Sequence, residues 1–198
     1  MAARTIIIVD CLDGALADYC YRRIAGYFEP EFRAVRIAAD RDEIPADAAE
    51  YARESGAAGM VIGGSQYSPL DPLPWLPALE DFVAAFIETG LPVLGICFGL
   101  EIMAAALGGS LAKRPELAVA LREVRLLESN SLFDGLGEVT FQPVCHEIMV
   151  ADAPSGFLVA AESDDCPVQA MRHESLPVYG VQFHPEMDKD IKFTTRTG

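Results

Sequence analysis

The chain has 198 residues, 51% of them hydrophobic and 23% charged. That is a globular composition and excludes disorder, collagen-like repeats and low-complexity structure. Thirty acidic against fifteen basic side chains leave a formal charge of -15, which repels phosphate backbones and anionic lipid and argues against nucleic acid or a membrane surface as partner. The longest apolar stretch, residues 91–107, contains Pro92 and Glu101 and falls short of the roughly 20 residues a bilayer requires. The first apolar run, residues 6–9, is too short for a signal-peptide core. Cys11, Cys20, Cys97, Cys145 and Cys166 make an odd set without CxxC spacing. They predict a reduced, cytoplasmic setting rather than a disulfide framework or a zinc knuckle.

In chain order, the β-branched run 5–9 predicts a buried strand. Helical spacing follows over 16–27, then a second strand over 32–37 and a helix over 45–55 stopped by Gly56. Residues 57–62 form a third strand ending in Gly63-Gly64, and a loop rich in Ser, Pro and Asp leads to an amphipathic helix over 76–89. A fourth strand over 91–96 meets a helix over 100–107. Alternation at this spacing implies βαβ units and predicts an α/β fold, a mostly parallel doubly wound sheet flanked by helices. The second half changes rhythm: runs at 117–127, 139–144, 157–161, 168–172 and 178–183 predict a smaller antiparallel strand layer joined to that sheet. With no internal repeat or linker, residues 1–198 read as a single domain; residues 187–198 carry little pattern.

Chemistry concentrates in three places. Gly95-Ile96-Cys97-Phe98-Gly99 lies where an apolar strand meets a helix, the mechanics of a nucleophile elbow with Cys in place of Ser. Flanking glycines predict a tight, strained turn that pushes the Cys97 side chain into solvent. The helix N-terminus would lower the thiol pKa, and the Phe98 N–H is placed to hold an oxyanion. A lone cysteine is more often an inert core residue, so the second segment matters. In Gly180-Val181-Gln182-Phe183-His184-Pro185-Glu186, Pro185 stops the strand and presents His184. Glu186 can accept the other imidazole N–H and fix the tautomer. Third, Gly63-Gly64 lets backbone approach a substrate and could supply a second oxyanion donor through an N–H. Neither GxGxxG nor GxxxxGK occurs, so phosphate cradling fits poorly, and no cofactor or metal is expected.

GICFGLE, GVQFHPE and IGGS resemble the signature segments of class I, triad-type glutamine amidotransferases. The likeness covers residues 5–187 and extends to the branches of GMP synthase amidotransferase subunits and gamma-glutamyl-peptidase-like members. The latter branch is suggested by the loop GGSQYSPLDPLPWLPALEDF, with Trp75 ahead of a helix. The resemblance implies a single glutamine amidotransferase-like domain. Cys97 would be the nucleophile, His184 the general base and acid, Glu186 its orienting partner, and the N–H groups of Gly64 and Phe98 the oxyanion hole.

Three departures bear on specificity. Glu101 stands where the family commonly has a substrate-holding Gln, exchanging a neutral donor for an anion that would repel a carboxylate. The segment Cys145-His146-Glu147-Ile148 stands where relatives often read Ser-His-x-Asp, with His146 either lining the pocket or packed in a loop. Ser65 follows Gly64 where many relatives have Pro. The function so implied is cleavage of the γ-amide of glutamine through a cysteine thioester. Ammonia would pass to a separate ATP-dependent synthetase, since the chain carries no ATP-binding loop. A stand-alone γ-glutamyl peptide hydrolase is the alternative within the enzymes. A non-catalytic binding or regulatory module on the same fold is the alternative outside them.

Overall fold

The computed structural model describes residues 4–41 and 43–187. Strands β1 (Thr5–Asp10), β2 (Arg33–Ala38), β3 (Ala57–Ile62) and β4 (Val93–Ile96) alternate with helices α1 (Gly14–Gly26), α2 (Ala48–Ser55), α3 (Leu76–Glu88) and α4 (Phe98–Ala106). Then come β5 (Ser110–Leu126), β6 (Val139–Asp152), β7 (Phe157–Ser163), β8 (Cys166–His173) and β9 (Val178–Val181). These strands join one sheet in the order β2-β1-β3-β4-β9-β8-β7-β5-β6. From β2 to β9 the pairings are parallel, and from β9 to β6 they are antiparallel.

The predicted α/β class therefore stands in its coarser form, a mixed sheet flanked by helices. The mostly parallel doubly wound form with a smaller antiparallel layer does not: the strands β5 to β8, expected to be joined to the sheet, continue it through β9, and among the described strands antiparallel pairings are as many as parallel ones. β9, last of the described strands, fills the slot between β4 and β8. The antiparallel half also curls. β6 is the far edge in hydrogen-bonding order, yet its Pro143 carbonyl accepts the His184 N–H at 2.9 Å, just beyond β9.

Alternation explains why the middle of the first strand, residues 6–9, is apolar on both faces. Ile7 and Val9 point into a core with Leu79, Val83 and Phe86 of α3 and Leu100 and Met103 of α4. Ile6 and Ile8 point the other way, toward Ile24 and Ala25 of α1 and toward Val124, Val144 and Ala170 of the curled half. A strand covered on both faces needs both of its faces apolar.

Boundaries moved where local chemistry decided. α2 begins at Ala48 rather than 45 because the Asp47 carboxylate caps the Glu50 N–H at 2.8 Å, and it ends at Gly56 with φ 64°. β6 continues to Asp152, so His146, expected in a loop or lining a pocket, lies on a strand. Residues 188–198, the greater part of the unpatterned end, lie outside the described residues.

Gly99 holds α4 against β3. A Cβ there would overlap the Ile62 carbonyl, which is backbone and cannot rotate away. Gly99→Ala is expected to lose about 3 kcal/mol of stability, read as a lower urea midpoint. An unchanged midpoint would show that α4 can lift off β3 freely.

Candidate active site

The turn from β4 into α4 has one strained residue, and it is the cysteine. Cys97 adopts φ 52° and ψ -105°, and it alone among the described non-glycine residues has positive φ. Such a conformation persists only where surrounding structure fixes it. The Cys97 N–H donates to the Val181 carbonyl of β9 at 2.7 Å, and its own carbonyl accepts from the Glu101 N–H at 3.1 Å. The neighbouring glycines serve packing instead of strain: a Cβ on Gly95 would stand 2.5 Å from the Gly99 backbone. Strand, turn and helix thus close tightly around position 97.

His184 is brought to this turn from the other end of the described chain. Its N–H is held by Pro143, and its carbonyl accepts from the Met187 N–H at 3.1 Å. The imidazole Nδ1–H donates to Glu186 Oε1 at 2.7 Å, both residues being buried. That bond fixes the tautomer and leaves Nε2 for proton transfer. Gly64 forms the floor between ring and cysteine. A methyl group there would lie 2.9 Å from His184 Cε1 and 3.8 Å from Cys97 Cβ. Gly63 is turned elsewhere: its N–H donates to the Val9 carbonyl at 3.0 Å, so only the second glycine of the predicted pair meets the site.

The sulfur itself is not in solvent. Cys97 is 4% exposed and packs with Ile96, Val144, Val181 and Phe183. This corrects the expectation of a projecting thiol. The curl of β6 supplies the cover, and the thiol donates to the Cys145 carbonyl at 3.7 Å. Burial, then Glu101, Cys145 and Glu186, push the thiol pKa well above its usual range; the Phe98 N–H pulls the other way. Desolvation therefore overrides the helix N-terminus, and the resting form is the thiol. Among the described residues no hydrogen bond joins the Cys97 sulfur to the His184 ring. Contacts between nucleophile and base are commonly loose without substrate.

Glu101 is also corrected. It is buried, and burial raises its carboxyl to about 8, partly offset by the Gln182 amide donating to Oε1 at 2.8 Å. At neutral pH the group is chiefly an uncharged acid, close to glutamine in shape and polarity. Its ordinary value is 4.5, so the fold binds this proton more tightly than the unfolded chain does. The associated stability is present below the ordinary value and is lost as pH rises toward about 8. Glu101→Gln should therefore gain on the order of a few kcal/mol at about pH 8 and much less at about pH 5. Urea midpoints at the two pH values test this, and equal gains at both would show that ionisation of Glu101 is not the cause.

His146 is buried and carries its Nδ1 against the Ile148 carbonyl at 2.7 Å. Burial lowers its pKa to about 4, so it is a neutral ring packed inside the curl. No three His, Cys, Asp or Glu side chains among the described residues are arranged to hold a metal ion.

Comparison with known proteins now decides the lineage. The sequence profile of glutamine amidotransferase class-I matches residues 21–192. The chain belongs to that family. A subunit of the glutamine-hydrolysing GMP synthase of Thermococcus kodakarensis is 42% identical over 100 residues, covering 50% of this chain and 53% of that protein. The chain thus spans about half the length of this and other curated relatives that it matches. A glutamine amidotransferase of Thermotoga maritima superposes with TM-score 0.76 at 16% identity, over 94% of this chain and 77% of that one. Another from Methylobacillus flagellatus gives 0.72 at 24% identity, over 95% and 72%. At these identities the two structures speak for the amidotransferase fold.

Sequence reasoning missed several parts of this amidotransferase site. The Pro143 and Cys145 carbonyls come from β6, and backbone groups leave no signature in a sequence. Arg23 of α1 donates from Nε and Nη2 to the Glu186 carbonyl, each at 3.3 Å, across 163 positions. Gln182 lay inside the GVQFHPE segment without a role. The period-2 pattern of that segment could have shown that Gln182 alternates with Val181 and Phe183, but not which group it meets.

Proposed function

We propose that this protein hydrolyses the γ-amide of glutamine and releases ammonia to a separate ATP-dependent synthetase. The observation that carries the reading is the His184–Glu186 bond of 2.7 Å, on a ring packed against Gly64 beside Cys97. In this mechanism His184 Nε2 takes the proton of the Cys97 thiol as sulfur attacks the carboxamide carbon. The carbonyl oxygen gains charge, stabilised by the N–H groups of Gly64 and Phe98. The carbon–nitrogen bond breaks, His184 returns the proton to the departing ammonia, and a γ-glutamyl thioester remains. Water deprotonated by His184 then cleaves the thioester, giving glutamate and the free thiol. A buried thiol suits this order of events, because proton transfer and attack coincide and no exposed thiolate has to persist.

Relatives that are named as GMP synthase subunits support a synthetase partner, and residues 1–198 are read as one amidotransferase-like domain. Five free cysteines suit a reducing, cytoplasmic location. The test is a product assay on purified protein. Equal ammonia and glutamate from glutamine, rising when an ATP-dependent synthetase of the GMP synthase type is added, is the expected result. Cleavage of γ-glutamyl dipeptides with glutamine untouched would favour the peptidase reading, and no cleavage of either would favour the binding module.

A further inference from the structure

We infer that Gln182 is a further catalytic residue, whose side-chain amide, aimed by Glu101, gives the Cys97 sulfur a hydrogen bond that favours its ionised form. The inference deepens the proposed function and rests on Cys97 as its nucleophile.

The geometry is that of one nitrogen with two obligations. Gln182 Nε2 donates to Glu101 Oε1 at 2.8 Å and stands 3.8 Å from Cys97 Sγ. A primary amide carries two N–H bonds, so one can serve the carboxyl and the other the sulfur. Gln182 is fully buried, and its Oε1 has no hydrogen-bond partner among the described residues. Such a group is costly to keep in a core. Its backbone is pinned independently, the N–H donating to the Gln169 carbonyl at 2.8 Å.

Groups from each neighbouring element act on the sulfur. The Cys145 carbonyl of β6 accepts from the thiol and so favours the protonated form. Cys145 on β6 and Glu186 beyond β9 oppose a negative charge there, and Glu101 on α4 does so only when it is ionised. The Phe98 N–H and the Gln182 amide are the donors on the other side. A donor bound to sulfur strengthens as charge develops on it, whereas the carbonyl becomes repulsive. Glu101 does not touch the reacting atom. It acts through Gln182 as a positioning residue, because an acceptor at Oε1 keeps the amide nitrogen facing the sulfur. That oxygen can accept whether or not the carboxyl carries a proton on its other oxygen.

The test reads the sulfur without glutamine. Iodoacetamide modification of Cys97, followed by mass spectrometry of its peptide, reports the thiolate fraction at a fixed pH. Gln182→Leu should slow modification on the order of tenfold, the effect of losing one hydrogen bond to a charged group. Glu101→Leu should slow it in the same sense, and Glu101→Gln, which keeps an acceptor oxygen, should recover the rate relative to Glu101→Leu. If Gln182→Leu fails to fold, the two Glu101 variants carry the comparison. Equal rates in the folded variants and the parent protein would overturn the inference while leaving Cys97 as nucleophile. Complete absence of modification at Cys97 in the parent protein would likewise overturn the inference, and retention of glutamine hydrolysis by Cys97→Ser would overturn the nucleophile assignment itself.

Discussion

Replacing Cys97 by serine will leave the sheet intact and abolish glutamine hydrolysis. The hydroxyl is smaller than the thiol and can still donate to the Cys145 carbonyl, which now receives the thiol at 3.7 Å. The strained φ of 52° costs either residue about the same, so stability should move by no more than about 1 kcal/mol. The chemistry is less forgiving. An alcohol in a desolvated site is far harder to ionise than a thiol, and His184 is placed to help a thiol. Removing one member of a nucleophile–base pair costs about 10⁴-fold or more in turnover. Ammonia release from matched, folded preparations decides the matter. Retention of roughly a tenth of the activity would move the nucleophile to another residue.

Gly64→Ala is expected to cost about 10²–10³ in kcat while glutamine binding changes little. The added methyl group would lie 2.9 Å from His184 Cε1, closer than carbon atoms tolerate. The ring cannot retreat without cost. Its Nδ1 is bound to Glu186 at 2.7 Å and its backbone to Pro143 at 2.9 Å. Either the imidazole tilts away from Cys97, or the Gly64 backbone lifts and takes the N–H proposed for the oxyanion out of line. Both outcomes weaken the transition state more than the ground state, so kcat should fall with KM nearly constant. A variant with wild-type kcat would show that ring and backbone at this point move without consequence for the reaction.

Much of this arrangement is legible in the sequence, for local reasons. The apolar run at the start, the Gly56 stop and the GxCxG junction are each decided by residues within one turn or strand. The His-Pro-Glu segment could be read because Pro185 dictates where the strand must stop. The extent of β5 and β6 was not legible. The first residues of β5 include Lys113, Arg114, Pro115 and Glu116, which obscure the alternation. Residues 145–152 do alternate, with His146, Ile148 and Val150 buried, but a histidine in the buried register disguised the pattern. The depth of the sulfur and the neutrality of Glu101 were hidden for another reason. The first follows from β6 curling over the end of β9 and the second from the burial of α4 against the segment that carries Gln182, and no residue near 97 or 101 encodes either long-range contact.

The place of β9 in the sheet has a consequence for biosynthesis. A ribosome delivers residues 5–173 before the strand that belongs between β4 and β8 has been made. Until then the two halves of the sheet present facing edges with unpaired amides and carbonyls, a state prone to sticking to other chains. The same late segment brings His184 and Glu186, so the proposed glutamine hydrolysis could not begin on a growing polypeptide before that segment is made. The stretch that closes the gap is thus continuous with the one that completes the proposed site.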